Sequence, residues 1–343
     1  MYKLIKPTYD NTIYENESTE NAGIDEILQL KFTEDEGVSR IILQFDNIDE
    51  TAEEYYLKLY TAENHRMPYK YTIEVSPLTQ IWDVGLGRSN NTPITTIDST
   101  WVNSTNDDIW TTGSLSGSFM ETTYVDGGGS WYNDYTVSQS FSYGDNTDIK
   151  LNITSIVDLW NTGSIDNNGL IIKIQDETVD FGEFNFYSLE THTIYQPQIK
   201  QAYDDSVFNE GNLTPLLPKP QGYVINIPNL KKQFVKDTDI FLRIQARDNN
   251  PIQNYSNENT FLNFKYLPST TYYSIIDAHT NEVLIDFDTT YTKISCNSEY
   301  GNYIKINTNN FNVERWYKII FMITWYDQDV DIVDNDFIFK IIK

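Results

Sequence analysis

Lys70-Tyr71-Thr72-Ile73-Glu74-Val75 sets Tyr71, Ile73 and Val75 on one face of an extended segment and Lys70, Thr72 and Glu74 on the other. A period of two is the mark of a strand with one face toward a core, and it recurs outward along the chain. Tyr56-Leu57-Lys58-Leu59-Tyr60 alternates in the same way, and so do Ile149, Leu151 and Ile153. Ile41-Ile42-Leu43-Gln44-Phe45-Asp46 is a compact apolar run closed by an acid and reads as a strand of a layered sheet, and Gly169-Leu170-Ile171-Ile172-Lys173-Ile174 reads as a well-buried strand. One helical spacing interrupts them: Ile156, Leu159 and Trp160 fall at i, i+3 and i+4, with Thr154 placed to cap the start and Gly163 the end.

The second half repeats this texture without repeating the sequence. Strand patterns occupy residues 223–227, 241–244, 272–277, 303–306 and 317–324, with a turn expected at His279-Thr280-Asn281-Glu282. Phe337, Phe339 and Ile341 alternate to the chain end, which ties the C-terminus into a sheet. With 25 Tyr, 17 Phe and 7 Trp, the composition favours pleated, half-buried surfaces. The expected fold class is all-β: a jelly-roll or carbohydrate-module-like β-sandwich with one short helix, followed by an immunoglobulin-like β-sandwich.

A chain of 343 residues is too long for most single cores. The expected division is an N-terminal arm at 1–20, a first sandwich at 21–200, a linker at 201–222 containing Pro215, Pro218 and Pro220, and a second sandwich at 223–343. Between Trp82 and Trp131 periodicity dissolves into Gly, Asn, Ser and Thr, and a stretch of that length is expected to hide short strands.

Fifty acidic residues against 24 basic ones give a formal charge of −26, which argues against nucleic acid and against anionic membrane surfaces as partners. The single cysteine, Cys296, leaves no intramolecular disulfide to form and reads as a small core residue. The start of the sequence lacks a long apolar segment, and the longest apolar run, 319–323, is too short to span a bilayer; the expected product is soluble and made in the cytoplasm of some cell. Asn-X-Ser/Thr triplets, including those at Asn90 and Asn254, read as chance in a chain this rich in asparagine.

His65, His192 and His279 lie far apart, and none has a second ligand at zinc spacing. Asp329-Val330-Asp331 and Asp334-Asn335-Asp336 supply hard oxygen donors but lack the glycine and terminal glutamate of a calcium loop, so a solvated turn is the expected reading. No nucleophile elbow, phosphate loop or dinucleotide fingerprint is present; Gly85-Leu86-Gly87 and Gly127-Gly128-Gly129 read as loops. No catalytic residue, cofactor or metal is therefore assigned. Trp101, Trp110 and Trp131 stand in polar, loop-like surroundings and are candidate contacts to a protein partner or to a surface glycan, with core packing as the alternative.

Residues 20–180 resemble a DNRLRE-type domain. The resemblance is carried by Arg40-Ile41-Ile42-Leu43-Gln44-Phe45-Asp46, Tyr56-Leu57-Lys58-Leu59-Tyr60, Ile73-Glu74-Val75 leading to Trp82-Asp83, and the step Ser99-Thr100-Trp101. It continues through Asp148-Ile149-Lys150-Leu151-Asn152-Ile153, Val157-Asp158-Leu159-Trp160 and Asn168-Gly169-Leu170. Residues 183–206, with Thr191-His192-Thr193-Ile194-Tyr195 and Asp204-Asp205-Ser206, resemble a stretch of virion structural proteins of large contractile-tailed bacteriophages. Leu267-Pro268-Ser269-Thr270-Thr271-Tyr272-Tyr273, Phe287-Asp288 and Glu314-Arg315-Trp316-Tyr317-Lys318 resemble the C-terminal module of the same proteins.

The resemblance implies a non-enzymatic structural component of a virion, at the neck, tail or baseplate. It implies a homo-oligomer whose partners are other virion structural proteins. Because residues 183–206 lie between the two modules, His192 and Tyr195 are assigned to packing between domains.

Overall fold

The computed structural model describes residues 1–35, 37–89, 92–111, 114–115, 127–179, 181–217, 222–250, 265–326 and 328–343. Asn90, Asn254, Pro218 and Pro220 lie outside the described residues, as does most of 112–126, within the stretch expected to hide short strands. The chain is all-β with one α-helix among the described residues, and it divides into two compact units: residues 4–201, and residues 1–3 with 202–343.

The N-terminal unit is built from the second half of β1 (Tyr2–Ile5), β2 (Tyr9–Tyr14), β3 (Ile27–Thr33), β4 (Gly37–Gln44), β5 (Glu54–Leu59), β6 (Thr61–His65) and β7 (Lys70–Pro77). There follow β8 (Ser114–Leu115), β9 (Trp131–Tyr132), β10 (Val137–Ser142), β11 (Ile149–Asn152), α1 (Thr154–Asn161), β12 (Leu170–Ile174), β13 (Gly182–Tyr187) and β14 (Gln198–Ala202). One sheet has the order β1-β14-β5-β11; the larger has β10-β7-β12-β4-β3-β13-β6, with β2 also paired to β4.

Only Tyr60 separates β5 in the first sheet from β6 in the second, so one stretch of chain passes from sheet to sheet. The larger sheet is curled by its own connectivity. Five strand intervals separate β6 from β7, about 24 Å if flat, whereas the Arg66–Tyr69 link reaches at most about 18 Å.

The core between the two sheets shows why the sequence alternates. Tyr55, Leu57, Leu59, Ile149 and Leu151 face Leu28, Leu30, Ile41, Leu43, Tyr71, Ile73, Val75, Leu170, Ile172, Phe184 and Phe186, all buried. The uninterrupted segments are buried on both faces. Ile41 and Leu43 point into this core while Ile42 points outward, and Leu170 and Ile172 point inward while Ile171 points outward. Ile42 and Ile171 are nevertheless fully buried, because a further layer covers the outer face of the larger sheet.

Helix α1 forms where its spacing predicts. Thr154 is its first residue, not its cap: Asn152 Oδ1 accepts the Thr154 N–H at 2.9 Å, and Thr154 Oγ1 accepts from Tyr55 N at 3.0 Å. Gly163, at φ +68°, ends the helix, with Gly163 N bonded to Trp160 O and Ser164 N to Leu159 O.

Residues 1–20 are not an arm. β2 pairs with β4 over six residues, and Asp10, Asn11 and Thr12 are buried there despite their polarity. Distant partners bond to each of them: Leu189 N donates to Asp10, Thr12 Oγ1 accepts from Gln29 N, and Asn11 Nδ2 donates to Ser99, while Asn11 Oδ1 is buried with no partner among the described residues.

The C-terminal unit contains β15 (Thr214–Pro215), β16 (Tyr223–Asn226), β17 (Gln233–Val235), β18 (Asp239–Asp248), β19 (Lys265–Tyr266) and β20 (Thr271–Asp277). β21 (Val283–Ile285), β22 (Ser295–Asn297), β23 (Gly301–Asn307), β24 (Trp316–Thr324) and β25 (Val330–Ile342) complete it. The sheets are β15-β19-β18-β23-β22, with β16 paired to β18, and β17-β25-β24-β20-β21. Strands β16 and β17 therefore join opposite sheets, and β17 pairs in parallel with the terminal strand β25.

The buried core of this unit includes Leu242, Ile244, Ile304, Ile306, Tyr317, Ile319, Phe321, Phe337, Phe339 and Ile341. The 201–222 segment, expected as a linker, contributes β15, a bridge from Phe208 to Cys296 and the buried Leu216. Cys296 is fully buried, as expected of a core residue, and burial pushes its thiol up to about 11.

Candidate functional site

The layer on the outer face of the larger sheet is the most distinctive construction in the N-terminal unit. Its apolar centre consists of Ile13, Val38, Ile42, Leu78, Trp82, Trp101, Trp110, Trp131 and Ile171. The three tryptophans expected as contacts are brought together here, and they are only 6, 3 and 8% exposed for Trp101, Trp110 and Trp131. Their faces are covered, so they support the loops from beneath and do not offer open rings to a sugar.

Arg40 organises the layer. Its guanidinium carbon lies 4.8 Å from the Trp101 ring centre and 5.0 Å from that of Trp131. Nε and Nη2 donate to the two oxygens of Glu177 at 2.8 and 2.6 Å, and Nη1 donates to Gly128 O at 2.5 Å. The glycine triplet is there because the backbone must approach this assembly closely. A Cβ on Gly127 would lie 2.2 Å from Trp101 O, and one on Gly128 would lie 2.4 Å from Arg40 Nη1, both at φ above +80°.

The loops from Leu78 to Trp110 are irregular yet rich in internal hydrogen bonds. Asn21 is the hub: Nδ2 donates to Val84 O and Ser99 O, each at 2.8 Å, and Oδ1 accepts from Gly23 N and Gly87 N. Its backbone N–H donates to Thr95 O at 2.9 Å. Asn11 holds the same loop through Ser99 O and Oγ, Trp110 Nε1 reaches Thr100 O, and Trp82 Nε1 reaches Asn168 O. Gly85 and Gly87 admit Asn21, since a Cβ at either would lie within 2.5 Å of its atoms.

Above this fixed base the chain exposes Ile81, Leu86, Ile94, Ile97 and Ile109, with Leu86 at 76%. Large aliphatic side chains held in water by a hydrogen-bonded loop are suited to burial against another surface. The sequence signal for this, polar residues around tryptophan, concealed which residues face inward.

A second cluster combines carboxyl groups. Asp10 is buried in β2 beside Glu190, whose Oε2 is buried with no donor among the described residues. Burial first, and then the Glu190 charge, hold the Asp10 carboxyl well above its ordinary value; the hydrogen bond from Leu189 N, 2.6 Å, opposes this. Asp25, nearby in charge terms, is raised to about 6, chiefly by burial, with Glu17 and Glu190 adding to the shift and Ser89 N and Arg88 opposing it.

Both shifts are upward, so the folded state keeps protons that the unfolded chain has released. The stability they confer is present below the ordinary carboxylate range and is lost as pH rises through the folded values, for Asp25 between 3.8 and about 6. Asp10→Asn is expected to flatten the pH dependence of the melting temperature and to raise it on the alkaline side; a variant with the wild-type profile would contradict the upward shift of Asp10.

His192 and Tyr195 are placed apart. The His192 side chain is 92% exposed, with Nε2 4.0 Å from Glu26 Oε1. The Tyr195 ring packs on Tyr60 and Tyr187, at 5.2 and 5.4 Å, both within residues 4–201. Of the acidic stripe, Asp331 Oδ2 accepts from Trp325 Nε1 at 2.7 Å and from Tyr223 Oη at 2.8 Å, and Asp334 pairs with Lys318. Among the described residues no group of three or more His, Cys, Asp or Glu is placed to hold a metal ion. Neither a protein-family model nor a curated protein matches this chain.

Proposed function

We propose that this chain is a non-enzymatic structural component of a bacteriophage virion, at the neck, tail or baseplate, which holds its position through protein–protein interfaces made by the 78–110 loops. The observation that carries the reading is the exposure of Ile81, Leu86, Ile94, Ile97 and Ile109 on a loop fixed from beneath by Asn21, Asn11 and the tryptophan layer. A preorganised apolar surface loses little conformational entropy when it docks, which suits a part assembled in repeated copies. The partners are other virion proteins and further copies of this chain, and the resemblance of residues 20–180, 183–206 and the C-terminal motifs to phage virion proteins supplies the setting.

Leu86→Asp and Ile97→Asp test the reading. Each side chain is exposed, so the isolated protein is expected to change in stability by no more than about 0.5 kcal/mol. Incorporation into particles is expected to fall roughly tenfold or more, because the contact would now bury an unpaired charge. Unchanged incorporation of both variants, measured by quantitative mass spectrometry of particles, would remove the loops from the interface.

A further inference from the structure

A second surface, at the Lys70 end of β7 (Leu78 of the tryptophan layer directly follows the other end), has a different chemistry. Strands β7 and β10 are paired with Phe141 opposite Tyr71 and Ser142 opposite Lys70. Their pairing continues one step beyond the strands, where Tyr143 N donates to Tyr69 O at 3.0 Å. Two-residue periodicity puts Tyr69 and Tyr143 on the face that carries Tyr71 and Phe141, so the aromatic ladder has an inner and an outer rung. The inner rung is buried core, with ring centres 4.9 Å apart and planes at 12°. The outer rung is nearly parallel, at 6°, with centres 6.0 Å apart, and its residues are 72 and 83% exposed.

Parallel rings with centres so far apart are displaced sideways by about 5 Å at van der Waals separation, so each leaves most of its face uncovered. The result is a broad, flat apolar surface fixed by the backbone of two paired strands. Two residues past Tyr143, Asp145 Oδ2 accepts from Ser142 N at 2.7 Å, which orients the carboxylate and leaves Oδ1 without a partner among the described residues. The Asp145 charge reaches the ladder: burial first and then this carboxylate push the Tyr71 phenol up to about 12. The Tyr71 hydroxyl itself is buried with no partner among the described residues.

We propose that Tyr69 and Tyr143 form a stacking platform for the pyranose face of a neutral glycan, with Asp145 Oδ1 accepting a sugar hydroxyl. The C–H face of a sugar ring is apolar and flat while its rim is a row of hydroxyl donors, which matches two open rings bordered by a carboxylate. An apolar protein partner fits less well, because it would bury the Asp145 charge without a donor. The same carboxylate, in a chain of net charge −26, disfavours acidic sugars. The site is independent of the loops proposed as the virion interface.

The test is a glycan array probed with the full chain, followed by titration of the strongest neutral oligosaccharide. Binding is expected to weaken about tenfold or more in Tyr143→Ala and Tyr69→Ala, to persist in Tyr143→Phe, and to be unaffected by Leu86→Asp, with unchanged melting temperatures confirming the fold. Absence of binding to any neutral glycan on the array would overturn the proposal. Binding that survives Tyr143→Ala, or cross-linking of Tyr69 and Tyr143 to another virion protein in particles, would do the same.

Discussion

Arg40→Ala is expected to destabilise the N-terminal unit by about 3–5 kcal/mol, the loss typical of removing one partner from a buried ion pair. The two side chains of the Arg40–Glu177 pair are only 11 and 18% exposed, so the carboxylate left behind cannot recover its hydration by a small movement. The Gly128 carbonyl would lose its donor, and Trp101 and Trp131 would lose the cation that fills the space between them. Arg40→Lys is expected to recover only part of the loss, since an ammonium cannot reproduce the two-pronged contact with Glu177. Chemical denaturation followed by tryptophan fluorescence reads the effect where it arises, and a loss below about 1 kcal/mol would show that Arg40 does not organise the layer.

Phe339→Ala is expected to cost the C-terminal unit a similar amount, about 3–5 kcal/mol. Phe339 is fully buried in β25, with Phe311, Tyr317 and Phe234 at ring-centre distances of 5.6, 5.8 and 5.8 Å. Three rings around one position, two of them edge-to-face with Phe339 and one tilted, leave a cavity that close-packed neighbours do not fill. Phe339→Leu, which keeps most of the volume, is expected to lose considerably less. Far-UV circular dichroism during denaturation separates the two variants, and equal losses would place the effect outside cavity formation.

The parts of the fold legible in the sequence are those stabilised by near-uniform apolar faces. Tyr71, Ile73 and Val75 point inward as their spacing requires, and Phe337, Phe339 and Ile341 tie the last strand into its sheet. The uninterrupted run Ile41-Ile42-Leu43 is buried on both faces, which requires a second covering layer, and the tryptophan loops provide it.

What was not legible depended on partners distant in sequence. The polar stretch Tyr9-Asp10-Asn11-Thr12 resembles an arm until Leu189, Ser99 and Gln29 are brought to it. Trp101, Trp110 and Trp131 stand among residues typical of exposed loops, yet those polar neighbours spend their hydrogen bonds inside the layer and turn the rings inward. The outer rung at Tyr69 and Tyr143 continues the alternation of Tyr71 and Phe141, but spacing alone does not show that the rings emerge into water one step past the strands.

The proposed role as a structural part of a virus particle is tested by quantitative mass spectrometry of intact, extensively purified particles from cells that produce the chain. The chain is expected in the particles at a constant copy number, in fixed ratio to the other structural proteins. Its absence from intact particles, while it accumulates in the same cells, would overturn the proposed role.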